Sequence, residues 1–560
     1  MIGLISATAA GAAARDALAA AWPDRTRVYP GPPGEALPRA FQECAGLVCF
    51  LATGATVRLL APLLAGKDRD PGVVCVDEAG RHAVALLGGH AGGANALAQA
   101  VAEALPGCRP VVTTATDARD LPGLDTLGWP AEGALAAVSR ALLDGEPVHL
   151  RADAVWPLPA WPPTVGPGPA AWTIRVTDRL EPPDAATAVL RPPSLLVGVG
   201  ASRGVGAEEV LELIAGALAQ AGLAAGSVAA LATAEAKAQE PGLLAAATRL
   251  GVPLRCFPSP ELAAVPVPNP SAAPLAAVGT PSVAEAGALL AAGPGAQLLV
   301  PKRKSAMATC AVARRRPRGR LALVGLGPGA RDLLTPRARD ELRRASVVVG
   351  LDQYLDQVRD LFRPGTRVLS SGLGAEEERA RTAVAEAAAG HAVALVGSGD
   401  AGVYAMASPA LAEAPADVEV VGVPGVTAAL AAAAVLGAPL GHDHVAISLS
   451  DLHTPWEVIE RRVRAAASAD LVVSFYNPRS RGRDWQLPKA LALLAEHRAP
   501  ATPVGIVRNA SRADESALLT TLGELDPAAV DMMTVVLVGN SATRAVAGRM
   551  VTPRGYRWQT

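Results

Sequence analysis

Three short turns carry residues whose types and spacing suit chemistry at a backbone surface. They are Gly325-Leu326-Gly327-Pro328-Gly329, Gly397-Ser398-Gly399-Asp400 and Pro424-Gly425-Val426-Thr427-Ala428-Ala429, and each follows an apolar run. Glycine at the end of a strand lets N–H and C=O groups approach a ligand that a larger side chain would keep away. A fourth cluster, Gly88-Gly89-His90-Ala91-Gly92-Gly93-Ala94-Asn95, sets one imidazole among four glycines. Asn95 stands where an N-cap is expected, and open backbone at a helix N-terminus suits an anion. Within this open loop His90 is either a structural histidine or a group that contacts a substrate. Further titratable groups are Asp117 in TTATDARD (113–120) and Asp451 with His453 in DLHTPWE (451–457).

These turns require strands and helices to hold them. The runs LALVG (321–325), AVALVG (392–397), VEVVGV (418–423), LVVSFY (471–476) and TVVLVG (534–539) predict buried strands. Thr335-Pro336 predicts a helix start, with Thr335 as N-cap and proline at the first helical position. Upstream, GLVCFLA, GVVCVD and HAVAL alternate with Ala/Leu-rich amphipathic stretches. The expected class is therefore α/β, multidomain, with mostly parallel sheets.

Two breaks interrupt the pattern. Ala154–Pro193 is so rich in proline that regular helix and central strand are not expected there. Arg314–Arg320 (RRRPRGR) is short and basic. The expected division is 1–145, a Pro-rich middle region or linker at 146–193, then 194–316 and 319–560.

The chain of 560 residues is too long for one core. No apolar run approaches the roughly 20 residues of a membrane span, and the N-terminus reads as strand and helix rather than a signal peptide. A cytoplasmic protein without membrane contact is expected. Net charge is −1, and no basic block suits a nucleic acid. KRKS (302–305) and Arg314–Arg316 read as solvated connectors. Six cysteines, at 44, 49, 75, 108, 256 and 310, form no CxxC pair and no zinc spacing, so reduced thiols and no metal site are expected.

The blocks SGDAGVYAMA, DLHTPWEVIE, SFYNPRS and VGNSAT, with the GLGPG and VPGVTAA turns, resemble the tetrapyrrole methylase family over essentially all of 320–560. They are most similar to precorrin-3B C(17)-methyltransferases. The resemblance implies a two-lobed class III methyltransferase fold and S-adenosyl-L-methionine as cofactor. By the same resemblance Pro328, Gly399, Asp400, Val403, Thr427, Ala428, Tyr476 and Asn477 line the cofactor cleft. It also implies a polycarboxylate tetrapyrrole substrate, with or without cobalt, a homodimer through this domain, and C-17 methylation with ring contraction. Asp451, His453 and the Tyr476–Arg479 segment are candidates for the proton movements. Arg479, Arg481 and Arg483 either pair with substrate carboxylates or form a solvated loop. The family's usual proline after Gly-Asp is Ala401 here, and the acidic residue after GPG is Ala330.

The GGHAGGAN loop, ATGATVRLLAPLL (52–64) and TTATDARDLPG resemble the N-terminal domain of cobalt-precorrin-5A hydrolases. Residues 195–314 resemble the C-terminal domain of the same family. That resemblance implies opening of a δ-lactone with release of acetaldehyde. His90 is then the candidate base, with Lys237, Glu240 and Ser282–Glu285 completing a substrate cleft. GASRGVG (200–206) also matches the turn of short-chain dehydrogenases, but none of the five tyrosines has a lysine four residues on. Two alternatives stay open: a non-catalytic tetrapyrrole carrier at the N-terminal end, or a methylase acting at another ring carbon.

Overall fold

Apolar runs buried on both faces read as central strands of parallel sheets, and this chain builds its sheets from such runs. The computed structural model describes residues 1–556, apart from 67, 68, 90, 91, 114–118, 183 and 481. It divides into two units. The first comprises Met1–Ala154, Trp161–Pro317 and Arg363–Gly365, and the second Val155–Ala160, Arg318–Phe362 and Thr366–Thr560.

Among the described residues the first unit holds three sheets. One runs in the order Thr26–Val28, Ile2–Ser6, Gly46–Phe50, Gly72–Val76, His82–Leu87, Arg109–Val111. It is parallel except between Gly72–Val76 and His82–Leu87. Another runs Leu254–Phe257, Val228–Ala234, Leu195–Ala201, Ala308–Arg314, Gln297–Lys304, with its last two strands antiparallel. Helices pack on both, as alternating strands and amphipathic segments require.

The remaining sheet corrects an expectation. It runs Ala131–Gly133, Thr187–Leu190, Trp172–Val176, Val148–Ala152, Val165–Gly166, so Trp172–Val176 is a central strand within the proline-rich stretch. The prolines crowd the connections, while WTIRV and TAVL are proline-free and long enough to pair. Asp178, just past the central strand, is buried and accepts from Arg314 Nε and Nη2 at 2.7 Å each and from Ser194 Oγ at 2.6 Å. This bidentate pair fastens the middle sheet to the sheet that follows it.

The second unit has two lobes. Its first sheet is wholly parallel, in the order Arg367–Ser371, Val347–Leu351, Ala392–Gly397, Arg320–Gly325, Glu419–Val423. Its second is mixed: His444–Ser448, Val472–Tyr476, Thr534–Val538, Pro503–Arg508, Ser516–Thr521. Thr335 caps the helix Pro336–Arg344, its Oγ1 accepting from Ala338 N at 3.2 Å. Arg320, buried at the start of its strand, makes a bidentate pair with Glu341 and reaches Glu419 at 3.4 Å. The helix Ala428–Leu436 leaves the first lobe and packs on the second, with Leu436 against Val507 and Leu537. A Cβ at Gly505 would lie 2.2 Å from Leu436 Cδ1, so a glycine there lets the helix sit close.

Among the described residues no helix is long and apolar enough to cross a membrane. All six cysteines are free. Burial pushes the Cys310 thiol up to about 11 and raises Cys49 and Cys75 as well. The native protein at mildly alkaline pH should therefore leave these three unmodified by a thiol reagent, while the unfolded chain exposes all six. Peptide mapping after labelling checks this, and fast native modification of Cys49 would contradict it.

Candidate active site

The three glycine turns of the second unit meet at the carboxyl ends of adjacent parallel strands, where open α/β sheets bind ligands. Strand Arg320–Gly325 lies between Ala392–Gly397 and Glu419–Val423, so Gly325, Gly399 and Gly425 are neighbours. Gly327 and Gly399 exchange backbone hydrogen bonds of 3.0 and 2.8 Å. A Cβ on Gly425 would lie 2.1 Å from Gly399 O, and one on Gly325 would lie 2.7 Å from the same oxygen. No side chain can enter this junction without moving backbone. Gly399 has φ +69, the left-handed region that glycine adopts freely.

Asp400 locks the junction. Its carboxylate accepts from Gly402 N at 2.8 Å and from Gly425 N at 3.0 Å, spanning two of the turns. Val403 follows in the same turn, its N–H donating to Asp400 O at 3.2 Å. Thr427 and Ala428 lie just beyond: a Cβ on Gly399 would be 3.5 Å from Thr427 Cα and 3.7 Å from Ala428 N. Pro328 is buried, and its carbonyl accepts from Arg512 Nε of the second lobe at 2.9 Å.

Tyr476 joins the lobes from the other side. It ends the strand Val472–Tyr476, and its hydroxyl lies 2.7 Å from Thr427 Oγ1 and accepts from Ala429 N at 3.0 Å. Its ring packs against Tyr404 at 5.2 Å between centroids, and the Tyr404 hydroxyl donates to Ala446 O at 2.9 Å. Tyr404 and Asn477 have φ of +51 and +49. Left-handed backbone at a residue other than glycine costs on the order of 1–3 kcal/mol and clusters at ligand sites. Asn477 Nδ2 donates to Ser448 Oγ at 3.1 Å.

Thus Pro328, Gly399, Asp400, Val403, Thr427, Ala428, Tyr476 and Asn477 fall at one junction. Asp451 accepts from Gln486 Nε2 at 3.0 Å in the loop after His444–Ser448, whereas His453 is exposed and has no hydrogen-bond partner among the described residues. Arg483 is half-buried and anchored: it donates to Asn477 O at 2.6 Å and Leu449 O at 3.1 Å. Arg479 donates to Pro527 O at 3.1 Å, and Arg481 lies outside the described residues. Arg512, Tyr404 and Ser448 escape sequence reasoning, because no motif marks contacts that span 184, 42 and 29 positions of chain.

In the first unit, His90 and Asp117 lie outside the described residues. The glycines around His90 serve packing as well: a Cβ on Gly72 would lie 2.1 Å from Gly92 O. Gly93, with φ +75, is the residue before the helix Ala94–Ala104, which corrects Asn95 from N-cap to second helical residue. Ala94 N and Asn95 N donate to Gly88 O and Gly89 O at 3.0 and 2.9 Å, so these two amides are engaged within their own loop. Glu240 accepts from Gly204 N at 2.7 Å and from Lys237 Nζ at 3.2 Å. The Gly204 amide, ahead of Lys237, holds its carboxyl below the ordinary range. Ser282 Oγ accepts from Glu285 N at 3.2 Å, and Glu285 is fully buried.

The model of tetrapyrrole (corrin/porphyrin) methylases matches residues 320–526. A probable cobalt-factor III C(17)-methyltransferase of Salmonella typhimurium is 48% identical over 239 residues, which are 42% of this chain and 99% of that protein. The chain belongs to the tetrapyrrole methylases. A second member, a precorrin-3B C(17)-methyltransferase from Sinorhizobium sp, is 43% identical over 42% of this chain and 97% of its own length. A crystal structure of the methyltransferase CobJ is 42% identical, covering 42% of this chain and all of that one, with a TM-score of 0.40. Of further curated relatives, among them a cobalt-factor III methyltransferase of Priestia megaterium, the chain spans about half the length. Ahead of the methylase, residues 35–117 match the cobalamin synthesis G N-terminal model and 195–313 the cobalamin synthesis G C-terminus model. This tetrapyrrole methylase is therefore a fused, two-part enzyme of cobalamin synthesis.

The glycine junction yields a test by contrast. Gly425→Ala should lower the stability of the second unit by about 1–3 kcal/mol, because the methyl group meets backbone on two strands. Gly422→Ala, three residues earlier with nothing within 4 Å of its Cβ, should change it by no more than about 0.5 kcal/mol. Urea midpoints of the two variants measure the difference.

Proposed function

We propose that the second unit transfers a methyl group from S-adenosylmethionine to C-17 of precorrin-3B or its cobalt form, with ring contraction. The observation that supports this most is the bare backbone junction of Gly325, Gly399 and Gly425 facing Tyr476. The glycines keep side chains out of the space between the turns, so main chain forms the wall beside Thr427 and Tyr476, which fits a cofactor that lies against backbone. When bound, S-adenosylmethionine supplies a sulfonium methyl that is already activated. The chain's part is then to orient and to exclude water. Asp400 fixes the turn, and Thr427 with Tyr476 presents hydroxyls at its rim. The substrate's ring carbon is itself the nucleophile, so no strong base is required. Asp451 and His453 are assigned to proton transfer during contraction, and Asn477 to positioning. A homodimer through this unit and a cytoplasmic location belong to the same proposal.

The first unit, in this proposal, opens the δ-lactone of cobalt-precorrin-5A and releases acetaldehyde. His90 acts as general base for the attacking water, with Asp117 in support and loop amides stabilising the oxyanion. The family matches at 35–117 and 195–313 support the pairing of the two reactions in one chain.

Incubation of the protein with precorrin-3B and 13C-methyl-labelled cofactor should give a ring-contracted product labelled at C-17 by NMR and mass. A label on another carbon would overturn the assignment. Tyr476→Phe leaves the Ala429 amide without its acceptor and should raise the cofactor Kd by about tenfold. His90→Ala should abolish acetaldehyde release while C-17 methylation continues. Methylation by wild type with no acetaldehyde from the lactone would make the first unit a carrier instead.

A further inference from the structure

The sheet Leu254–Phe257, Val228–Ala234, Leu195–Ala201, Ala308–Arg314, Gln297–Lys304 carries a cavity of 590 Å³ at one edge. The parallel strands Leu195–Ala201 and Val228–Ala234 both end there, with Ala201 and Ala234 in its wall. That is the edge at which open α/β sheets take ligands, and the volume is that of a small-molecule site. The helix Ala284–Ala292 is drawn in by Gly198, where a Cβ would lie 1.8 Å from Ala284 O. Its first residue, Ala284, and the preceding Val283 form part of the lining.

The charge of the lining is one-sided. Arg203, Lys237, Lys302 and Lys304 all face the cavity. The whole chain contains five lysines, and three of them are here. The KRKS stretch is thus no mere connector. Of the carboxylates that brace the cavity, Glu240 pairs with one lining cation, Lys237, while Glu209 and Glu285 accept from backbone, hydroxyl and amide groups. Glu209 accepts from Ser305 Oγ at 2.6 Å and Met307 N at 2.7 Å. Glu285 accepts from Asn269 N, Asn269 Nδ2 and Lys302 N at 3.0, 2.8 and 2.9 Å. Glu240 holds Gly204 N and Lys237, as described above. Lys302 Nζ spends one donor on Asn269 O at 2.8 Å. Arg203 and Lys304 have no hydrogen-bonded partner among the described residues.

We propose that this cavity binds a polycarboxylate macrocycle by its edge, with Arg203, Lys237, Lys302 and Lys304 each taking a side-chain carboxylate. The cations come from three separate segments, the turn at Arg203, the turn Glu235–Lys237 and the end of the strand Gln297–Lys304, around a lining that includes Val283 and Met307. Cations on three segments beside apolar lining residues match an apolar ring that bears carboxylates on separate arms. The identity of the macrocycle as the lactone rests on the lactone-opening proposal; the charge class of the ligand does not.

The test uses the full chain, wild type against the Arg203→Ala/Lys304→Ala variant, whose two side chains are exposed and carry no packing. One arm measures acetaldehyde release from the lactone. The other counts uroporphyrin I molecules bound per chain by equilibrium dialysis at low salt. The variant should raise KM for the lactone by about tenfold or more with kcat little changed, since two charge-assisted contacts are lost. C-17 methylation should be unchanged, and the variant should bind one uroporphyrin fewer per chain. Lys304→Arg should restore both values beside an intact Arg203. Unchanged KM and an unchanged count would overturn the cavity proposal and leave lactone opening standing. A lost uroporphyrin site in a chain that releases no acetaldehyde would uphold the cavity and sink lactone opening. Equal displacement by inorganic phosphate, or equal binding of the octamethyl ester, would overturn the polycarboxylate assignment.

Discussion

The second unit depends on close contact between three backbones. Gly325, Gly399 and Gly425 approach so nearly that a methyl group on Gly325 or Gly425 meets the Gly399 carbonyl. That approach sets the register between the strands Arg320–Gly325, Ala392–Gly397 and Glu419–Val423 at their carboxyl ends. It also aims the following segment, Pro424–Thr427, toward the second lobe. The helix Ala428–Leu436 then carries the chain across, and its seat against Gly505 completes the connection.

Polar contacts convert this packing into a fixed geometry. Asp400 bridges two turns, Tyr476 bridges two lobes, and Arg512 grips the Pro328 carbonyl from the opposite wall. Each pairs a buried or half-buried backbone group that would otherwise cost about 1–3 kcal/mol unsatisfied. The left-handed residues Tyr404 and Asn477 lie on the same rim, so strain is held where the surrounding bonds over-determine it. Stability of the turns and order of the cleft are therefore one property.

Much of this was legible in residue order because it is local. A glycine turn after a β-branched run, or Thr-Pro before a helix, declares itself within five or six residues. The Thr335 cap and the strand ends at Gly325 and Gly397 are of that kind. What was not legible depends on distant partners. Arg512 reaches Pro328 across 184 positions, and Arg483 turned to the backbone of Asn477 and Leu449 rather than to solvent. Asn95 was displaced from its capping role because Gly93 could take the left-handed conformation just ahead of it. Proline density misled at Trp172–Val176, since five proline-free residues suffice for a central strand. The lysines at 237, 302 and 304 looked unrelated until the sheet edge gathered them.

That scarcity of lysine has a practical side. Amine-directed reagents, from cross-linkers to fluorophores, meet few primary amines on this chain, and most of those line one sheet edge. Only Lys489 belongs to the second unit. An ordinary, non-selective conjugation reaction thereby becomes a regional one, able to place a reporter in the first unit without engineering a new attachment point.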